Sequence, residues 1–483
     1  MTKWNSWSMG ALCVLLAAAT GSADERATQP PVSGALKLSD CRLPELDEPA
    51  RCGVLEVPEN PDRPQGRRIA LQIGLLPATG GRALPDPIVV LMGGPGEDAI
   101  SAAGYFARQF ASLRTDRDLL LIDQRGTGLS SALRCDLFDE ADATRSLRDF
   151  IPADRVERCA REHAARADLT QYGTARVVED FERIRRALGY QQFNLYAGSY
   201  GTRTAQVYVR EHPGSVRTVY MGSIVPIDVV MPLPMPRAAQ IAMDATFEAC
   251  AAQPDCHAAF PRLREEFRDV IARLDRDPPR VSVTGRTEPA VLDRGRVGEW
   301  LRARLYRPAS ATELPWLIHQ AHQGNFDSIA RGIIADAPQI DTAYSFGVLL
   351  SITCNEDVVF VRESDVARES EGTFLRDYRL RQQQAACNKW PGAPVAAEFK
   401  RAVRSPVPAL FVSGDSDGGS PLWFTGHAAP GFSNRAEVVM RGQGHTEWND
   451  CVGRIYERFV RSGEARGLDV DCPAAPRPAF RTR

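Results

Sequence analysis

Apolar residues fall into two kinds of pattern along the chain. "RRIALQIGLLPA" alternates and then runs apolar, which predicts an early antiparallel strand. "PDPIVVLMGGPG" and "RDLLLIDQRGTGLSS" are short apolar runs that stop at glycine-rich turns. Such runs suit buried parallel strands whose C-terminal ends carry functional loops. Between them, "ISAAGYFARQFASLR" can form a helix. "TARVVEDFERIRRALGY" places Val177, Phe181, Ile184 and Leu188 at helical spacing, and Gly189 ends it. "QQFNLYAGSYG" then reads as a strand entering a tight turn, "GTRTAQVYVREHPG" as a helix leaving it, and "VRTVYMGSI" as the next strand. Strands and helices in alternation predict an α/β sheet covered on both faces.

The pattern changes after residue 228. "MPLPMP" breaks it, and helical text follows: "AAQIAMDATFEACAAQ", "LREEFRDVIARLD", "RVGEWLRARLY" and "LPWLIHQAHQ", interrupted by the hairpin-like "RVSVTGRTEPAVLD". Strand logic returns at "VPALFVSGDSDGGSP" and "AEVVMRGQGHTEW", and the helix "CVGRIYERFVRS" follows. The expected organisation is a sheet domain over residues 24–228 and 402–483, with a mostly helical cap inserted over 229–401.

At 483 residues and 43% hydrophobic, the chain can bury a large core. Its net charge of -2 and lack of long like-charge runs give no reason to expect a nucleic-acid partner. Lys3, the run "MGALCVLLAAAT" and the small residues of "GSADE" read as a secretory leader over residues 1–23, with Gly21 and Ala23 flanking the cleavage site. The run falls short of the roughly 20 apolar residues a spanning helix needs. No stable membrane association and a periplasmic or secreted location are expected. Removing the leader takes Cys13 and leaves ten cysteines, an even number that suggests disulfides in an exported chain. Sequence leaves their connectivity open. The simplest pairing is sequential: 41–52, 135–159, 250–256, 354–387 and 451–472. No C-x-x-C pair occurs, so neither a metal nor a cofactor is expected.

Ser199 in "YAGSYGTR" sits where a strand turns into a helix. A nucleophile elbow exposes its serine at the head of a helix and needs small neighbours, because two backbones pass close together there. Ala197 stands where the usual G-x-S-x-G pattern begins with glycine, adding one methyl. Serine needs a base and oxyanion donors to act as a nucleophile. In α/β-hydrolases the chain order is Ser, acid, His. Of the seven histidines, His427 and His445 follow the late strand "PALFVSG", and His445 in "GQGHTEW" is on a loop able to reach Ser199. "SGDSDGGSP" offers Asp415 and Asp417; Asp417, further out, is expected to orient the imidazole. Oxyanion donors are expected from the amides of Tyr200 and Gly94, with Gly93 second for the latter.

"MGGPG", "DQRGTGLS", "LYAGSYGTR", "SITCNEDV", "SGDSDGGSP" and "GQGH" together resemble the prolyl and tripeptidyl aminopeptidase family of α/β-hydrolases, in its secreted branch with a tripeptidyl-aminopeptidase-like C-terminal segment. The resemblance implies an α/β-hydrolase fold with a helical cap, and a serine hydrolase that removes residues from peptide N-termini. Two positions depart from it: Met92 where the family often has His, and Ala197. An aminopeptidase must also hold a substrate ammonium, and a cap carboxylate could do so. Glu356 and Asp357 in "TCNED" are the candidates, on a loop that Cys354 could fix through Cys387; solvation of an ordinary acidic pair is the other reading. Trp390 lines the pocket or packs in the core. Asp123 and Arg125 are expected to brace loops beside the site, and "HQAH" (His319, His322), lacking a carboxylate partner, reads as a helix surface. Peptides are the expected substrates. An esterase or amidase on non-peptide acyl groups is the alternative, and a non-catalytic binding protein the remote one.

Overall fold

Side chains alternate in the short central strands, and each alternation feeds a different face of one sheet. Val89, Leu91, Leu120, Ile122 and Leu195 point into one buried cluster, while Ile88, Val90, Leu119, Leu121 and Tyr196 point into another. The computed structural model describes residues 36–138, 140–284 and 287–483; the leader expected over 1–23 lies outside the described residues.

The strands are β1 (Ser39–Cys41), β2 (Ala50–Pro58), β3 (Arg68–Leu76), β4 (Ile88–Leu91), β5 (Leu119–Ile122), β6 (Phe193–Gly198), β7 (Val216–Gly222), the small pair β8 (Arg280–Val281) and β9 (Ala290–Val291), β10 (Ala409–Gly414) and β11 (Arg435–Met440). Nine of them form one sheet in the order β1-β2-β3-β5-β4-β6-β7-β10-β11. The β1, β2, β3 and β5 pairings are antiparallel, and every pairing from β5 to β11 is parallel. β1 and β2 extend the sheet beyond the strands predicted from sequence.

The chain leaves β4 toward β5 on one side and returns to β6 on the other. Strand order reverses there, so the loops after β4 and β6 diverge at the carboxyl edge and leave a crevice. "GGPG" follows β4 and Ser199 follows β6. Helices α1 (Thr174–Leu188) and α2 (Gly201–Glu211) flank β6. Gly189 ends α1 at φ 77°, a left-handed conformation that glycine adopts without steric cost.

Between β7 and β10 the chain is mostly helical, with α3 (Arg294–Arg304), α4 (Phe346–Glu356) and α5 (Tyr378–Cys387) nearest the site. This region has its own apolar cluster, from Ala239 through Trp300 to Leu375. A further cluster joins Leu133, Tyr172 and Tyr200 to Phe346, Leu350 and Trp390, so cap and sheet domain share a core. The disulfides are 41–52, 135–159, 250–256, 354–387 and 451–472, the sequential set. Among the described residues no helix is long and apolar enough to cross a membrane.

Candidate active site

Ser199 has φ 52°, a backbone that L-residues rarely adopt, at the turn between β6 and α2. Its amide donates to Gly222 O at the end of β7 (3.0 Å), which anchors the turn. The tight neighbour is Gly201: a Cβ there would lie 2.1 Å from Leu91 O. At Gly198 an added Cβ would meet nothing nearer than Thr446 Cγ2, at 3.4 Å. Ala197 is fully buried in the sheet core. Tyr200 caps α2 at its N-terminus, where the first amides have no intrahelical acceptor.

Asp417 lies on the loop after β10 and is 4% exposed. Its Oδ1 accepts from the amides of Gly419 (2.7 Å) and Ser420 (2.8 Å). His445 Nδ1 lies 2.9 Å from Asp417 Oδ2 and 3.0 Å from Oδ1. Nδ1–H therefore donates to the carboxylate, which leaves Nε2 as the free base. The His445 amide donates to Tyr306 O (2.6 Å), just after α3, and the Thr446 amide donates to Ser223 Oγ (2.8 Å). The Gly418 amide donates to Leu305 O (3.2 Å). Cap carbonyls thus hold both the acid loop and the histidine loop. Asp415 shapes the turn, accepting from the Gly442 amide (2.9 Å). His427 is elsewhere, 2.7 Å from Asp228.

Ser199, His445, Gly93 and Gly94 line one cavity of about 610 Å³. Gly94, Ser199, Tyr200 and His445 also line a smaller recess of about 80 Å³. Glu97, three residues beyond Gly94, lines the main cavity, and its Oε2 would lie 3.2 Å from a Cβ at Gly93. Burial pushes the Glu97 carboxyl above its ordinary value, with the nearby His445 opposing. Met92, at the position where the resembled family has His, also lines this cavity.

The three expected substrate contacts are corrected. Glu356 is fully buried and lines neither cavity. It ends α4, a helix rather than the expected loop, and accepts from the Thr174 amide and hydroxyl, both at 2.7 Å. Thr174 Oγ1 in turn lies 2.7 Å from Tyr200 OH, so Glu356 sits behind the elbow. Burial pushes its carboxyl up to about 7, with Arg203 opposing. Trp390 packs in the shared core and donates through Nε1 to Ser351 Oγ (3.0 Å). Asp357 reaches the small recess, yet Arg203 Nη1 (2.6 Å) and Lys400 Nζ (2.9 Å) already neutralise it. Neither carboxylate is free to hold an ammonium, and Trp390 takes the core-packing alternative.

The bracing residues act as expected. Asp123 accepts from the amides of Ala99, Ile100 and Leu129, fixing the segment after "GGPG". Arg125 makes a two-pronged pair with Asp180 at 2.7 and 2.8 Å. His319 and His322 do have carboxylate neighbours, Glu266 at 2.9 Å and Asp269 at 3.3 Å. The Cys135, Cys159 and His163 grouping is no ligand set, because both sulfurs are in a disulfide.

Sequence reasoning misses the cap wall of the cavity. Arg296, Glu299, Trp300, Arg302 and Tyr306 come from α3 and its end, and Arg379 from α5. The available signal was the charged residues at three-residue spacing in "RVGEWLRARLY", a stretch read only as a helix.

Comparison with known proteins agrees with this layout. The family described as alpha/beta hydrolase fold matches residues 86–251, which include Ser199. The chain has an α/β-hydrolase fold. The family described as TAP-like protein matches residues 373–472, a segment that holds Asp417 and His445. Serine protease Hip1 of Mycobacterium tuberculosis is 29% identical over 289 residues, 54% of this chain and 55% of that protein. The tripeptidyl aminopeptidase of Streptomyces lividans is 26% identical over 196 residues, 37% of this chain and 36% of that one. The proline iminopeptidase of Heyndrickxia coagulans is 28% identical over 159 residues, 31% and 42% of the two chains. The chain spans about half the length of the first of these curated relatives.

Proposed function

We propose that this chain is an exported serine peptidase of the aminopeptidase type, releasing N-terminal proline or short peptides from peptide substrates. The observation that carries this reading is the Asp417–His445 pair, hydrogen-bonded at 2.9 Å and lining the same cavity as the elbow serine. The similarity to a tripeptidyl aminopeptidase and a proline iminopeptidase points to peptide N-termini, and the five disulfides suit an oxidising compartment.

In this mechanism His445 Nε2 takes the Ser199 hydroxyl proton as Oγ attacks the substrate carbonyl carbon. The carbonyl oxygen becomes an oxyanion held by the amides of Tyr200 and Gly94. Asp417 keeps Nδ1 protonated and stabilises the imidazolium. His445 then gives its proton to the leaving amine, and the C–N bond breaks to leave an acyl-enzyme. Water, deprotonated by His445, hydrolyses that ester and restores Ser199.

Glu97 replaces Glu356 as the ammonium anchor. Three carboxylates line the cavity, and Glu299 and Asp336 are each paired with arginine. Glu97 makes no ion pair among the described residues. Burial disfavours its charge, and a substrate ammonium beside it would restore that charge.

The test compares free-amine and N-acetylated peptide amides as chromogenic substrates. The free-amine forms should turn over and the acetylated forms should lose at least about tenfold in kcat/KM, the scale of one charged hydrogen bond. Glu97→Gln should narrow that ratio. Turnover of short esters alone would reject the peptidase reading, and an unchanged ratio in Glu97→Gln would reject the anchor.

A further inference from the structure

The cap wall of the cavity holds more positive charge than it neutralises. Arg296, Glu299 and Arg302 follow one another at three-residue spacing on α3, and Arg379 begins the facing α5. All four line the cavity. Glu299 is 1% exposed and serves two guanidiniums at once: Arg302 Nη2 at 2.7 Å and Arg379 Nη1 at 2.5 Å. Burial pushes its carboxyl up, but Arg302 and Arg379, with a smaller pull from Arg296, outweigh burial and hold it at about 2. The nearby Asp336 is taken by Arg304 (2.9 Å) and by Trp300 Nε1 (2.8 Å).

Arg296 has no such partner. It is 1% exposed, its Nε donates to Ser146 O (2.8 Å), and it forms no ion pair among the described residues. Phe150 lies under it at 5.6 Å and under Arg379 at 4.2 Å, so one aromatic ring packs against both guanidiniums. Arg302 Nη1 and Arg379 Nε are also buried without a hydrogen-bond partner. A buried guanidinium with no carboxylate paired to it is costly, and three guanidiniums lining one cavity beside an aromatic ring suit a planar anion.

We propose that Arg296, with Arg302 and Arg379, forms a subsite that binds a carboxylate of the peptide substrate. The site would thus read two charges: an ammonium at Glu97, beside the oxyanion loop, and a carboxylate at the cap wall. This inference rests on the peptidase reading above. Two sources offer the same group, the free C-terminus of a short peptide and an Asp or Glu side chain, and the test separates them.

The experiment measures kcat/KM of the full chain on three sets of free-amine peptides: tetra-alanine, its C-terminal amide, and that amide with one Ala replaced in turn by Glu. Either tetra-alanine or one Glu-containing amide should exceed the neutral amide by about tenfold or more. Preference for tetra-alanine identifies the C-terminus, and preference for a Glu form identifies the side chain. Arg296→Gln should collapse the preference and Arg296→Lys should keep part of it, since lysine supplies charge without the fork. Equal rates on all three sets in the unsubstituted protein would overturn the subsite and leave the peptidase reading standing, whatever the fate of the variants. A preference that survives in folded Arg296→Gln would also overturn it. Failure to cleave any free-amine peptide would remove the peptidase reading and this inference with it.

Discussion

An added Cβ at Gly201 would lie 2.1 Å from Leu91 O, whereas the Cβ of Ala197 already sits in the sheet core. The two small residues flanking Ser199 therefore differ in what they tolerate. Gly201→Ala should destabilise the fold by about 3 kcal/mol or more, because backbone has to move. Ala197→Gly, which restores the usual motif, should cost only about 1 kcal/mol through added chain freedom and a lost methyl contact. Denaturant midpoints of the two variants check this. At Glu356 the folded carboxyl sits near 7, above its ordinary 4.5, because burial opposes the charge. The folded state then binds more protons than the unfolded one between about 4.5 and 7, so this group's contribution to stability falls as pH rises through that window. Glu356→Gln keeps an acceptor for the Thr174 amide, can donate to the Thr174 hydroxyl in place of accepting from it, and removes the titration. Its stability relative to the unsubstituted protein should rise from pH 4.5 to 7.5, by up to about 3 kcal/mol. A constant difference across that range would contradict the assignment.

At the scale of elements, α4 and α5 carry the back of the elbow and one side of the cavity wall. The Cys354–Cys387 disulfide ties them across 33 residues. Replacing both cysteines by serine should lower stability by about 3–4 kcal/mol, the loop-closure scale for that separation, as read by chemical denaturation under oxidising conditions. The elements of the sheet were legible in sequence because short apolar runs ending at glycines leave few alternatives to buried parallel strands. β4, β5, β6, β7, β10 and β11 lie in the quoted runs. The helix α4 was not legible as such. It is buried all round, so it has no amphipathic period, and "TCNED" reads as a polar loop end. The partners that neutralise Asp357 and cradle Glu356 come from Thr174, Arg203 and Lys400, all far away in sequence. Only the fold brings them together.

Across the whole molecule, the cap completes the site rather than merely covering it. Leu305 O and Tyr306 O accept from the Gly418 and His445 amides, and one apolar cluster contains residues of both cap and sheet domain. The described chain from Leu36 to Arg483 should therefore unfold in one transition, with tryptophan fluorescence and loss of activity on the same curve. Two separated transitions would show an independent cap. The Asp417–His445 pair and its place beside Ser199 were legible because the order of such residues along the chain, and the strands before them, restrict the choice. The cavity's charges were not, since an arginine-rich helix face looks the same in sequence whether it meets water or a binding cavity. The central claim is that Ser199 is a nucleophile activated by His445, and fluorophosphonate labelling followed by peptide mass mapping tests it most directly. One label on Ser199, absent from Ser199→Ala and strongly reduced in His445→Ala, is the predicted result. A label on another residue, or labelling of Ser199 undiminished in His445→Ala, would contradict it.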